Sequence, residues 1–188
     1  MCAVARKRMA AEFRYDHAGL CLVPDRMLED LLRGGTAPSF ESLAGWEFDG
    51  YNTADLTGLA NMHKFRKGYY RDPRLPEGEI GGYNVDMKQG RPNQPWEVKL
   101  HGGKPKRHSH FRVYPVRDAE ADSLYPNALL LNYDFPGTPF WNPARLLRDY
   151  LVQVYPENPD LLLGKAYFAL PGGRRFVSFF VLKRAERG

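Results

Sequence analysis

The sequence predicts a mainly β protein: a single antiparallel up-and-down β-barrel of about eight strands, with N-terminal helices and one helix before the closing hairpin. Three observations carry this. Apolar and aromatic residues recur at spacing two from about Gly45 onward, as in Trp46 and Phe48, then Tyr83, Val85 and Met87, then Trp96, Val98 and Leu100, the period of half-buried strands. Gly, Pro, Asn and Asp clusters punctuate these runs, and one longer stretch reads as a helix. A sheet built this way must close or be covered, and about eight strands close around an interior just wide enough for side chains or one small ligand.

The elements follow in order. Residues 1–44 read as a helical segment packed on the barrel, and 45–188 as the barrel, together one globular unit of 188 residues that can bury a core without staples. In Pro24 to Arg33, Pro24 suits a first helical position, Met27, Leu28, Leu31 and Leu32 form a stripe, and Gly34 and Gly35 provide the stop. Ser39 can cap a short turn through Phe40, Glu41, Ser42 and Leu43. The predicted strands are Trp46 to Thr53, Lys64 to Arg71, Glu79 to Gln89, Pro95 to His101, Arg107 to Val116, Ala128 to Phe135, Leu161 to Leu170 and Arg174 to Arg184. Gly102 to Lys106 and Pro171 to Gly173 read as hairpin loops, so consecutive strands are antiparallel neighbours. Asn142-Pro143 opens a helix to about Tyr155, with Leu146, Leu147, Tyr150, Leu151 and Val154 on its apolar face.

A net charge of +5, from 27 basic and 22 acidic residues, is spread along the chain and points only weakly to an anionic partner. Two cysteines, Cys2 and Cys21, leave no disulfide framework and no Cys-based metal site. No apolar run approaches the ~18 residues of a membrane span, and no signal-peptide pattern follows Arg6, Lys7 and Arg8. The expected location is therefore the cytoplasm. No motif specifies an oligomeric state.

Leu43-Ala44-Gly45-Trp46-Glu47-Phe48 after a short helix, the up-and-down strands and a helix before the closing hairpin make the chain, from about Ser39 to its C-terminus, similar to the lipocalin and fatty-acid-binding barrels of the calycin group. The resemblance implies a cavity for a small apolar or amphipathic molecule. On this reading Trp46, Phe48, Tyr83, Trp96 and Tyr133 form the apolar wall, and His108, His110, Arg112 and Asn132 supply polar contacts.

His108-Ser109-His110 places two imidazoles on one side of a strand, about 7 Å apart, with His101 across the hairpin. Tyr114 and Pro115 stand where a cupin metal site has its carboxylate, so neither a metal nor another cofactor is expected. No Gly-rich phosphate loop or serine nucleophile elbow is present. An enzyme on the same scaffold, with His110 or Asp134 as general base, is the alternative to a binding protein. Third is a nucleic-acid-binding barrel, because Lys64 to Arg71 interleaves cations with aromatics; Tyr70, Arg71 and Asp72 depart from the RNA-recognition pattern, and nucleic acid is not the expected partner. Lys165 reads as a rim lysine facing solvent.

Overall fold

A computed structural model describes residues 14–54, 62–117 and 122–188. Three helices, α1 (His17–Leu20), α2 (Asp25–Gly34) and α3 (Phe40–Leu43), precede ten strands: β1 (Trp46–Asn52), β2 (Lys64–Tyr70), β3 (Ile80–Asp86), β4 (Leu100–His101), β5 (Lys104–Pro105), β6 (Arg107–Pro115), β7 (Leu129–Asn132), β8 (Leu147–Gln153), β9 (Leu161–Leu170) and β10 (Gly173–Arg187). Eight of them close in the cyclic order β1-β2-β3-β6-β7-β8-β9-β10, while β4 and β5 form a separate ribbon inserted between β3 and β6. Every pairing in the barrel is antiparallel. The fold is thus a closed up-and-down barrel, compatible with a calycin-like architecture.

Seven predicted strands lie in the barrel. The eighth does not: Pro95 to His101 contributes only an isolated bridge from Val98 to Met87 and the short β4. Its place is taken by β8, where the sequence predicted the helix from Asn142 to Tyr155. The Asn142 cap is real, with Oδ1 accepting from Ala144 N, but it opens a single 3-10 turn, Pro143–Leu146, after which the chain extends. Asp149, Tyr150, Leu151 and Val152 are all buried in consecutive positions, because β8 is covered on both faces. Such a run has no period by which a helix and a strand can be told apart.

Two cores flank the sheet. The interior is filled by Phe48, Tyr69, Ile80, Phe111, Val113, Leu131, Leu151, Leu162, Phe180 and Leu182, with Leu43 of α3 entering from one end. Three inward glycines make room for rings: Gly50 lies under Phe65, Gly82 under Phe111 and Gly164 under Phe180. The second core is outside the barrel, where Leu20, Leu28 and Leu32 of α1 and α2 cover Tyr114, Leu130, Tyr150, Val152, Leu163 and Val181. At Gly35 the chain passes so close to β8 that a Cβ would strike Val152 and the Gln153 carbonyl, which explains the glycine where α2 ends. Asp16 caps α1 through Gly19 N, and Ser39 caps α3 through Ser42 N.

Lys165 does not face solvent. Its ammonium donates to Glu29 Oε2 at 2.6 Å and Tyr125 Oη at 3.0 Å, tying β9 to α2. Among the described residues, no helix is long and apolar enough to cross a membrane.

Candidate functional site

Alternation along a strand puts Phe65, Lys67 and Tyr69 of β2 on the inner face, and Leu147, Asp149 and Leu151 of β8 on the inner face opposite. Each apolar triad has a charge at its centre, and the two charges meet. Lys67 Nζ lies 3.1 Å from Asp149 Oδ2, with both side chains 3% exposed. The ammonium also donates to Asn84 Oδ1 at 3.1 Å and to the Tyr133 hydroxyl, which donates in turn to Asp149 Oδ2 at 3.0 Å. Four rings, those of Phe65, Phe111, Tyr133 and Phe180, stand 4.8 to 5.3 Å from Nζ. Asp149 Oδ1 and the Tyr69 hydroxyl are buried with no partner.

Electrostatics here are governed by burial. It lowers the pKa of Lys67 against the pull of Asp149, and raises that of Asp149 against the pull of Lys67. Burial, reinforced by Asp149, also pushes the Tyr133 and Tyr69 phenols well above their ordinary value. Desolvation penalises both charges, and their mutual contact is what holds them.

Tyr133, 3% exposed, also borders a cleft. The cleft, of about 290 Å³, opens at the end of the barrel where β3, β7 and β9 finish, lined by Ser109, His110, Tyr133, Phe135, Pro136 and Pro139 among others. Ser109 has φ +48, and across it Tyr83 is passed by two residues of β6 while Gly82 still pairs with Phe111 and Asn84 with His108. This bulge breaks the alternation that the sequence pattern assumed, so His108 and His110 do not share a face. His108 Nε2 meets Asp86 Oδ1 at 3.1 Å, and His101 Nε2 meets Asp86 Oδ2 at 2.9 Å. His110 instead packs among Tyr70, Tyr83 and Phe135. Burial, with the charges of His108 and Arg107, lowers its pKa, and its Nδ1 is buried without a partner. Among the described residues, no group of three or more His, Cys, Asp or Glu is arranged to hold a metal ion.

Of the residues singled out from sequence, His110 and Tyr133 line this cleft and His108 adjoins it through Ser109. The others lie apart. Phe48 belongs to the interior core, edge-on to Tyr69. Trp46 is stacked under Arg184 and Arg187. Tyr83 donates to Glu47 Oε1 at 2.7 Å beneath the Arg107 guanidinium. Arg112 reaches Glu79, and Asn132, its cross-strand neighbour, donates to the Tyr114 hydroxyl. Trp96 is no barrel wall. It lines a separate groove of about 570 Å³ with Asp16, His17 and Lys183, its ring edge-on to His17 and beside Lys64 Nζ at 4.5 Å.

The basic strand is likewise turned inward or paired. Lys64 donates to the Gln94 and Pro95 carbonyls, Arg66 to Asp49, Glu47 and Glu186, and Lys67 is internal, so β2 offers no continuous cationic face. Asp134, the other candidate base, is bound by Arg145. Lys67, Asp149, Asn84 and Ser109 were missed. The signal for the first two was a lone charge interrupting an inward apolar set at period two.

No protein-family model matches the chain, and no curated protein is similar to it in sequence.

Proposed function

We propose that the protein binds a small amphipathic molecule at the open end of the barrel, with its polar group against Ser109, beside Tyr133, and its apolar part along Phe135, Pro136 and Pro139. The observation that carries the reading is that one side chain, Tyr133, belongs both to the cleft and to the buried Lys67–Asp149 pair. A buried ion pair is costly to maintain and is weak evidence for stability, whereas clusters of groups with shifted pKa values beside a concavity mark sites. The Tyr133 hydroxyl is engaged by Asp149, Lys67 and Asn84, so the buried pair fixes the ring that walls the cleft, and Ser109 is the polar group left to meet a ligand there. At about 290 Å³ the cleft sits at the lower end of the ~300–1,000 Å³ usual for small-molecule sites, and the interior beyond it is occupied by rings. Compact ligands suit it better than long acyl chains. A lipocalin-like assignment is supported by the closed up-and-down barrel alone.

The test is displacement of an environment-sensitive naphthalene sulfonate probe by candidate ligands, with thermal stabilisation as a second readout. Phe135→Ala, which removes a partly buried apolar contact, and Tyr133→Phe, which releases the wall ring from its buried anchors, are expected to weaken saturable binding by about 5- to 10-fold each, and Trp96→Ala, in the other groove, to leave it unchanged. Saturable binding unaltered in folded Phe135→Ala and Tyr133→Phe proteins would refute the placement.

A second reading, an enzyme on the same scaffold, is favoured by one observation: His110 lines the cleft, its buried Nδ1 has no partner, and burial lowers its pKa, which favours the neutral imidazole that a general base needs. Hydrolysis of activated esters that is saturable and lost in His110→Gln would favour it over simple binding.

A further inference from the structure

The largest exposed apolar side chains of the described protein are Phe140 and Trp141, 82% and 72% exposed. They stand edge-on to each other, ring centroids 4.9 Å apart, at the tip of the β7–β8 connection. Among the described residues, nothing covers them. Isolated surface leucines are ordinary, but two adjacent, almost fully solvated large rings mark an interaction site.

Their position in the fold gives them company. In an up-and-down barrel the β3–β6, β7–β8 and β9–β10 connections leave from the same end, the end where the cleft opens. Leu146, beside the 3-10 turn, is 38% exposed, and Leu170 and Phe176 of the β9–β10 hairpin are 42% and 40% exposed. Cations alternate with these apolar tips. Lys104 and Lys106, in and beside the β4–β5 ribbon, and Arg175 in the β9–β10 hairpin are exposed, and among the described residues none has a carboxylate partner. Among the described residues of this end, Asp86 is engaged by His101 and His108, and Asp134 by Arg145.

We infer that this end of the barrel docks on an anionic lipid surface, with Phe140 and Trp141 inserted at the headgroup level and Lys104, Lys106 and Arg175 held against the lipid phosphates and carboxylates. The exposed apolar residues sit on separate loop tips at this end, together with cations of which none is paired with a carboxylate among the described residues. A fluid interface accepts separated knobs. Aromatic rings settle at its boundary, and each nearby Lys or Arg contributes attraction to anionic lipid. A protein partner would instead be met by a continuous apolar patch with a polar rim. Pro139 and Asn142, flanking the two rings in sequence, line the cleft, so docking would present the cleft to the bilayer surface; only this last consequence rests on the binding function proposed above.

The test is co-sedimentation of the full chain, without added ligand, with phosphatidylcholine vesicles and with vesicles also containing phosphatidylserine. Binding is expected on the mixed vesicles, weak on phosphatidylcholine alone, and reduced about 10-fold or more both by Phe140→Ser with Trp141→Ser and by Lys104→Gln with Lys106→Gln, from about 5-fold per cation. Trp141 emission should shift to the blue on binding. All four positions are exposed, so the fold is kept, as circular dichroism will show. No binding to mixed vesicles, equal binding to both vesicle types, or retention by the Ser double variant would each overturn the inference. So would concentration-dependent self-association lost in the Ser double variant, without vesicle binding, because the rings would then serve a second copy. Because no ligand is present, failure here leaves the probe-displacement result independent.

Discussion

Replacing Lys67 by Met removes one charge from a pair whose side chains are both 3% exposed and 3.1 Å apart. Asp149 then keeps only the Tyr133 hydroxyl on Oδ2 and nothing on Oδ1, and an uncompensated buried charge costs about 3–5 kcal/mol. For a domain of this size that corresponds to a fall in Tm of about 6–20 °C. Asp149→Leu alone strands the ammonium and costs a similar amount. The double variant Lys67→Met with Asp149→Leu removes both desolvated charges and leaves the Tyr133 hydroxyl short of an acceptor and the half-buried Asn84 Oδ1 short of a donor, about 1–3 kcal/mol, so the cycle should show a coupling of about 3 kcal/mol or more. Urea unfolding followed by circular dichroism measures it. The pH dependence supplies a second check. Asp149, with a raised pKa, binds its proton more tightly in the native state, so it costs stability as pH rises above the unfolded value of about 3.9. Lys67, with a lowered pKa, costs stability as pH falls below the unfolded value of about 10.4. Both costs are present near neutrality, so the double variant should gain most relative to the native protein there and lose the advantage toward either extreme. A Lys67→Met protein within about 1 kcal/mol of the parent, or additive single effects, would show that the pair is not buried as described.

Two further perturbations test the packing around the barrel. Burial lowers the His17 imidazole from 6.5 to about 4, so the native state refuses a proton that the unfolded chain accepts. Stability of about 3 kcal/mol present above pH 6.5 is expected to be lost on acidification toward pH 4, and His17→Phe should flatten that part of the profile; an unchanged slope would refute the burial. A Cβ at Gly164 would overlap the Phe180 ring, so Gly164→Ala is expected to cost about 1–3 kcal/mol by overpacking, partly recovered in combination with Phe180→Leu, and calorimetry showing no loss would mean that the ring does not cover this strand.

How much of this was legible in the sequence depends on whether a residue's environment repeats along its own strand. β1, β2, β3, β6 and β9 were found because one face of each is apolar at period two or because Gly and Pro bound them, and α2 because Leu28, Leu31 and Leu32 fall on one face between Pro24 and Gly34. β8 failed that test. Its outer face is covered by α2 and its inner face by the core, so Leu147 to Gln153 carries apolar residues at spacings that serve a helix as well as a strand, and Pro95 to His101 was given the vacant place on a period-two pattern that in fact packs Trp96 against His17 and lets Val98 bridge to Met87.

The site was harder to read for a related reason. Lys67 reads as part of a basic strand because charge is counted along the chain, whereas its burial depends on Asp149, which is far off in sequence and falls within the stretch that reads as a helix. Once β8 is a strand, both charges fall at the centre of inward triads of opposite sign, Phe65-Lys67-Tyr69 and Leu147-Asp149-Leu151. A single misassigned element therefore hid both halves of the pair. His108 and His110 were separated by a different cause, the left-handed backbone of Ser109, which no side-chain pattern announces because serine is not the residue that such a conformation favours. The bulge turns His108 to Asp86 and leaves His110 in the cleft beside Tyr133, so the local irregularity of β6 and the buried charge of β8 meet at the same end of the barrel. Regular alternation builds the wall of this protein, and the two departures from it gather its polar groups around Tyr133.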